Sequence, residues 1–193
     1  GLAKPSKPPE PPPPPPPPPA VDIPEEASTN ALSVEGPDEL KEAVAQVEKL
    51  RMSGEFGEAI EKLEPLKAKF SEQADQLNGI MAELKECKRD AVDLEFAVRQ
   101  LAKDDQNAVD VANAKLSEGG EVARIILRKA VREREDAVAS EAAKLLAEIN
   151  DDHACSAIVA RFMKKPESPI RKDLLDSLTR LAGNASPSSV AAL

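Results

Sequence analysis

The stretch DAVASEAAKLLAEINDDHACSAIV, Asp136–Val159, decides the fold. Val138, Ala142, Leu146 and Ile149 recur three or four residues apart, which places them on one face of a helix. Asp136 precedes them at an N-capping position. Asp151-Asp152 then breaks the pattern, and Cys155, Ala157 and Ile158 resume it. The reading is two short helices joined by a tight acidic turn. A shift of 32 residues superposes Val138, Ala142, Ala143, Leu146 and Ile149 on Ile170, Leu174, Leu175, Leu178 and Leu181. The same shift sets Ala123, Ile125 and Ile126 on Cys155, Ala157 and Ile158, and Ser168 stands where Asp136 stood. Helices are therefore predicted at about 106–117, 121–132, 136–149, 153–164 and 168–182, separated by Gly119-Gly120, Asp151-Asp152 and the Pro166–Pro169 turn.

On these residues the chain resembles HEAT-like repeats over about 104–183. The quoted stretch looks like one full unit, with Arg171 after Ile170 as the pattern expects and Ala139 where an arginine is usual. The resemblance implies antiparallel helix pairs stacked into a short α-solenoid, with second helices lining a concave wall. The third unit lacks a clear second helix, because the residues from Asn184 read as a loop.

Upstream, Gly36-Pro37-Asp38-Glu39 opens a helix with Leu40, Val44 and Val47 on one face, and Ser53-Gly54 ends it. Gly54, Phe56 and Ala59 then match the turn of a tetratricopeptide-like hairpin over about 38–64. The physical logic is a tight turn, a wedged ring and a small residue where backbones approach. A heptad stripe follows from Leu63 to Leu101 through Leu66, Phe70, Leu77, Ile80, Leu84, Cys87, Ala91, Leu94 and Val98. It predicts a long helix packed on its own chain, or else a coiled coil between two chains. Pro65 must occupy a first turn or kink the helix, and Asn78-Gly79 is a candidate break.

The remaining composition agrees with an all-α chain: four Phe and no Trp or Tyr leave little with which to fill a sheet sandwich. Most of the 18 prolines lie in residues 1–36, a predicted disordered arm in which Pro11–Pro19 would form a polyproline II rod about 28 Å long. The expected organisation is this arm, a hairpin with the long helix over 37–103, repeats over 104–183, and a flexible tail over 184–193. A net charge of −9 argues against a nucleic-acid partner, and no apolar run reaches bilayer-spanning length. The sequence leaves the compartment open between a soluble cytoplasmic and a cell-envelope setting, similar arms in envelope-crossing proteins being a compositional analogy.

No catalytic template emerges. His153 and Cys155 lie two apart on a predicted helix and point away from each other, and Cys155 coincides with an alanine-like core position. Asp151 and Asp152 read as solvated turn residues. Gly119-Gly120 lacks the spacing and the lysine of a phosphate loop. Neither metal nor cofactor is expected, and a lyase of helical-repeat type would need an exposed reactive thiol. The polar feature that stands out is basic: Arg124, Arg128, Lys129 and Arg132 on one second helix, Arg161 and Lys164 on the next. With the resemblance, these imply a strip on the concave wall that could hold an acidic protein partner. The expected function is a non-catalytic protein–protein interaction scaffold on a proline-rich spacer. The alternative is a structural element that homodimerises through residues 63–101.

Overall fold

The computed structural model describes residues 31–184, and within them the chain is α-helical with no strand. The proline-rich arm lies outside the described residues except for 31–36, and the tail except for Asn184. Helix α1 (Asp38–Ser53) begins behind Pro37 with Asp38 and Glu39 in its first turn. It ends at Gly54, whose φ of +80° lets its N–H donate to the Arg51 carbonyl. After α2 (Phe56–Lys69) and a single 3-10 turn (Ser71–Gln73) comes the long α3 (Ala74–Gln100). Then follow α4 (Gln106–Glu118), α5 (Gly120–Glu133), α6 (Asp136–Glu148), α7 (Ala154–Lys164) and α8 (Arg171–Asn184). Asp105 caps α4, its carboxylate accepting from the N–H groups of Asn107 and Ala108 at 3.1 and 3.4 Å.

Several local expectations are decided by the structure. The heptad stripe is interrupted at Phe70–Gln73, and the chain runs unbroken through Asn78-Gly79, a candidate break, inside α3. Pro65 sits inside α2, where the helix has lost only one bond, and α2 ends soon after at Lys69. The last helix starts at Arg171 instead of 168. Neither Asp136 nor Ser168 caps its helix, because the Ser168 hydroxyl donates to Asp136 Oδ1 at 3.2 Å and that carboxylate is also held by Arg161.

Consecutive helices pack side by side: α1 on α2, α2 on α3, α3 on α4 and α5, α5 on α6 and α7, α6 on α8. Two apolar clusters result. One joins Leu40, Val44, Val47, Leu63, Leu77 and Leu84, with Leu32 and Val34 leaning on it; the other runs from Phe56 and Cys87 to Leu174 and Leu181. Helix α3 contributes to both clusters. The stripe residues Leu77, Leu84, Leu94 and Val98 are buried within the chain. Each large side chain so buried contributes roughly 1.5–3 kcal/mol, which an inter-chain coiled coil on that stripe would first have to forgo.

Candidate partner-binding surface

The six basic residues expected on one strip are placed apart. Arg128 is buried; its Nη2 donates to Glu121 Oε1 at 3.2 Å and its Nη1 lies 3.8 Å from Asp151 Oδ1. Arg161 is buried too, donating to the Val131 carbonyl at 3.1 Å, to the Arg134 carbonyl at 2.6 Å and to Asp136. It thereby fastens the α5–α6 turn to α7. Lys129 meets Glu55 at 2.9 Å, and the Arg132 guanidinium donates to the Ser53 carbonyl at 3.3 Å, so both hold α5 against the α1–α2 turn. Burial lowers the Arg132 guanidinium from its ordinary value. Arg124 is half-buried and Lys164 exposed. Arginine in the second helices is thus largely spent on fastening turns, a role that spacing alone does not distinguish from a binding strip.

Asp151, expected to be solvated, is buried beside Arg128; burial pushes its carboxyl above the usual aspartate range and Arg128 pulls it back. Asp136 is held below that range, first by the hydrogen bond from Arg161. Cys155, expected in the core, is exposed. It shares the exposed side with Val159 and Met163. Among the described residues no group of His, Cys, Asp or Glu is placed to hold a metal ion. No described helix is long and apolar enough to cross a membrane.

Among the described residues a concavity lies elsewhere. Helix α3 has 27 residues and α2 only 14, so at 1.5 Å per residue α3 overhangs its hairpin partner by several turns. In the notch so formed is a cleft of about 570 Å³, with Phe56 and Ala91 among its lining. Val92 and Phe96 stand on the overhang, 69% and 64% exposed, one helical turn apart. Glu58 and Glu61 line the α2 side and Lys88 the α3 side. A Cβ at Gly57 would lie 3.8 Å from Lys88 Nζ, so the small residue leaves room for that ammonium. Arg99 and Arg134 both approach Glu95, at 3.9 and 3.8 Å. The arrangement suits a neighbouring apolar side chain flanked by charge, and it holds no pairing of acid, base and nucleophile. The sequence signal for it was available: Val92 and Phe96 are large apolar residues off the heptad stripe. Searches of family models, of curated proteins and of solved structures return no match to this chain.

Proposed function

We propose that this chain is a non-catalytic protein-interaction module: HEAT-like helix pairs behind a tetratricopeptide-like hairpin, presented on the proline-rich segment as a spacer. Its partner is an amphipathic helix of another protein, seated in the notch beside α3. The observation that carries this reading is the pair Val92 and Phe96, a valine and a phenylalanine held out in water beside a cleft. Charge supports a polarised ligand. Glu58 and Glu61 make no ion pair among the described residues and call for basic groups on one edge, while Lys88 calls for an acid on the other. Helix-in-groove recognition buries apolar residues at turn spacing and lets flanking charges set orientation. No observation favours the coiled-coil alternative over 63–101, whose α3 portion is already occupied.

The test uses two synthetic amphipathic helices with the same leucine stripe, one with bases on the Glu58 and Glu61 edge and an acid on the Lys88 edge, the other with these charges exchanged. Fluorescence anisotropy should find the matched peptide bound about tenfold more tightly, a difference of one or two favourable charge pairs. Phe96→Asp should abolish binding of both without altering the helical circular dichroism. Failure of either peptide to bind the intact chain, or binding that survives Phe96→Asp, refutes the notch as the docking site.

A further inference from the structure

The apolar strip beside the notch does not end on α3. Six large apolar side chains are exposed among the described residues, and three of them lie on the α3–α4 hairpin: Val92, Phe96 and Val111, the last at 69%. Scattered singly, such residues need no explanation; gathered on one hairpin, they do. Helices α3 and α4 run antiparallel, joined through residues 101–105, with Ala97 and Ala112 buried. The approach of Lys115 Nζ to Asp93 Oδ2 at 3.4 Å fixes their register. Phe96 follows Asp93 by three residues on one side of α3, and Val111 precedes Lys115 by four on one side of α4. In antiparallel helices those steps run the same way along the hairpin, so Phe96 and Val111 come level. The cleft lies on the α2 side of α3, and Val111 stands on the α4 side.

We propose that the partner's amphipathic helix crosses α3 obliquely and ends on α4, with Phe96 at the crossing and Val111 as a third apolar anchor. This rests on the notch being the docking site. From Lys88 to Phe96 the path advances about 12 Å along α3, at 1.5 Å per residue. From the α2–α3 valley to α4 it moves sideways by one and a half interaxial steps, roughly 13 Å. The two displacements give a crossing near the 50° common between packed helices, over roughly 18 Å, which a helix of about 12 residues spans. Charge gives that helix a polarity. In the notch Glu58 and Glu61 call for bases and Lys88 for an acid, whereas beside Val111 the Asp93 and Lys115 charges neutralise one another. The ligand is therefore charged at its notch end and apolar at its α4 end. A helix lying along α3 would instead meet Val92 and Phe96 and leave Val111 in water.

The test uses the charge-matched peptide at a length of about 18 residues, long enough to make the whole crossing. Anisotropy on the full chain should find Val111→Asp binding it about tenfold more weakly than the parent, with unchanged circular dichroism because Val111 is exposed. A lysine replacing the stripe leucine at one end of the peptide should restore that loss by pairing with the new aspartate, and a lysine replacing the leucine at the opposite end should not. Binding that is indifferent to Val111→Asp but still abolished by Phe96→Asp overturns the crossing and leaves the notch standing. A loss that neither lysine restores, or that both restore equally, also overturns it. Absence of binding by the parent chain sinks both the crossing and the notch.

Discussion

Three charged residues, Arg128, Asp151 and Arg161, are buried among the helices of the second half of the chain. Arg128 and Asp151 are each buried at the α5–α7 side of the fold, yet they approach only to 3.8 Å, and Arg128 Nε and Asp151 Oδ2 find no hydrogen-bond partner among the described atoms. A buried pair of this quality is costly to form and far more costly to halve, because the survivor is a desolvated charge. Arg128→Met is expected to lower stability by roughly 3–5 kcal/mol, and Arg128→Met with Asp151→Leu to recover most of that loss, as urea unfolding at neutral pH would measure. If the double variant is as unstable as the sum of the two singles, the pair is not coupled. The same geometry means that charge reversal at Arg128 or Arg161 reads out folding instead of partner capture. Of the six basic residues singled out from spacing, Lys164 is exposed, Arg124, Lys129 and Arg132 are half-buried, and Arg128 and Arg161 are buried.

At the scale of helices, the packing is set by where backbones can approach. Between α4 and α5 sits Gly119, where an added Cβ would lie 2.7 Å from Ala123 Cβ, 3.0 Å from Leu94 Cδ2 and 3.1 Å from the Lys115 carbonyl. There is no room for a methyl group without moving α3, α4 or α5. Gly119→Ala should cost about 1–3 kcal/mol through this crowding. Gly79, in the second turn of α3 with nothing within 4 Å of its added Cβ, is the contrast. Gly79→Ala should stabilise the chain by about 0.5–1 kcal/mol through helix propensity alone. Thermal unfolding of the two variants tests both signs; a Gly119→Ala protein as stable as the parent would mean the helices do not converge there. The Gly79 case also explains the misplaced break. A glycine beside an asparagine weakens a helix by about 1 kcal/mol, and the buried Leu77, Ile80 and Leu84 around it offset that several times over.

For the whole molecule, two aspartates contribute to the response to acid with opposite signs. Asp136, held low by Arg161, contributes stability that is complete above the ordinary aspartate range and is lost as pH falls through its depressed value. Asp151, pushed up by burial, works the other way: its ionisation burdens the fold above its raised value, and a fall in pH through that value relieves the burden. Urea midpoints followed from pH 7 to pH 3 should therefore fall less steeply below about pH 4 in Asp136→Asn than in the parent chain. Parallel curves would mean that Arg161 does not discriminate the two states of Asp136. Arg161 and Arg128 tie α5, α6 and α7 into one block, and Lys129 and Arg132 tie that block to the α1–α2 turn.

Much of the helical order was legible along the chain. Apolar residues at three- and four-residue steps and Gly54 at a turn act locally, through backbone geometry and the need to bury one face, so position in sequence carries their meaning. What tertiary structure alone decided was which of these faces found a neighbour. Leu127 and Val159 read alike, yet one is buried and the other is not; Arg128 reads as a surface charge and is enclosed. Burial depends on helices brought together from distant parts of the chain, a long-range property that no local spacing encodes.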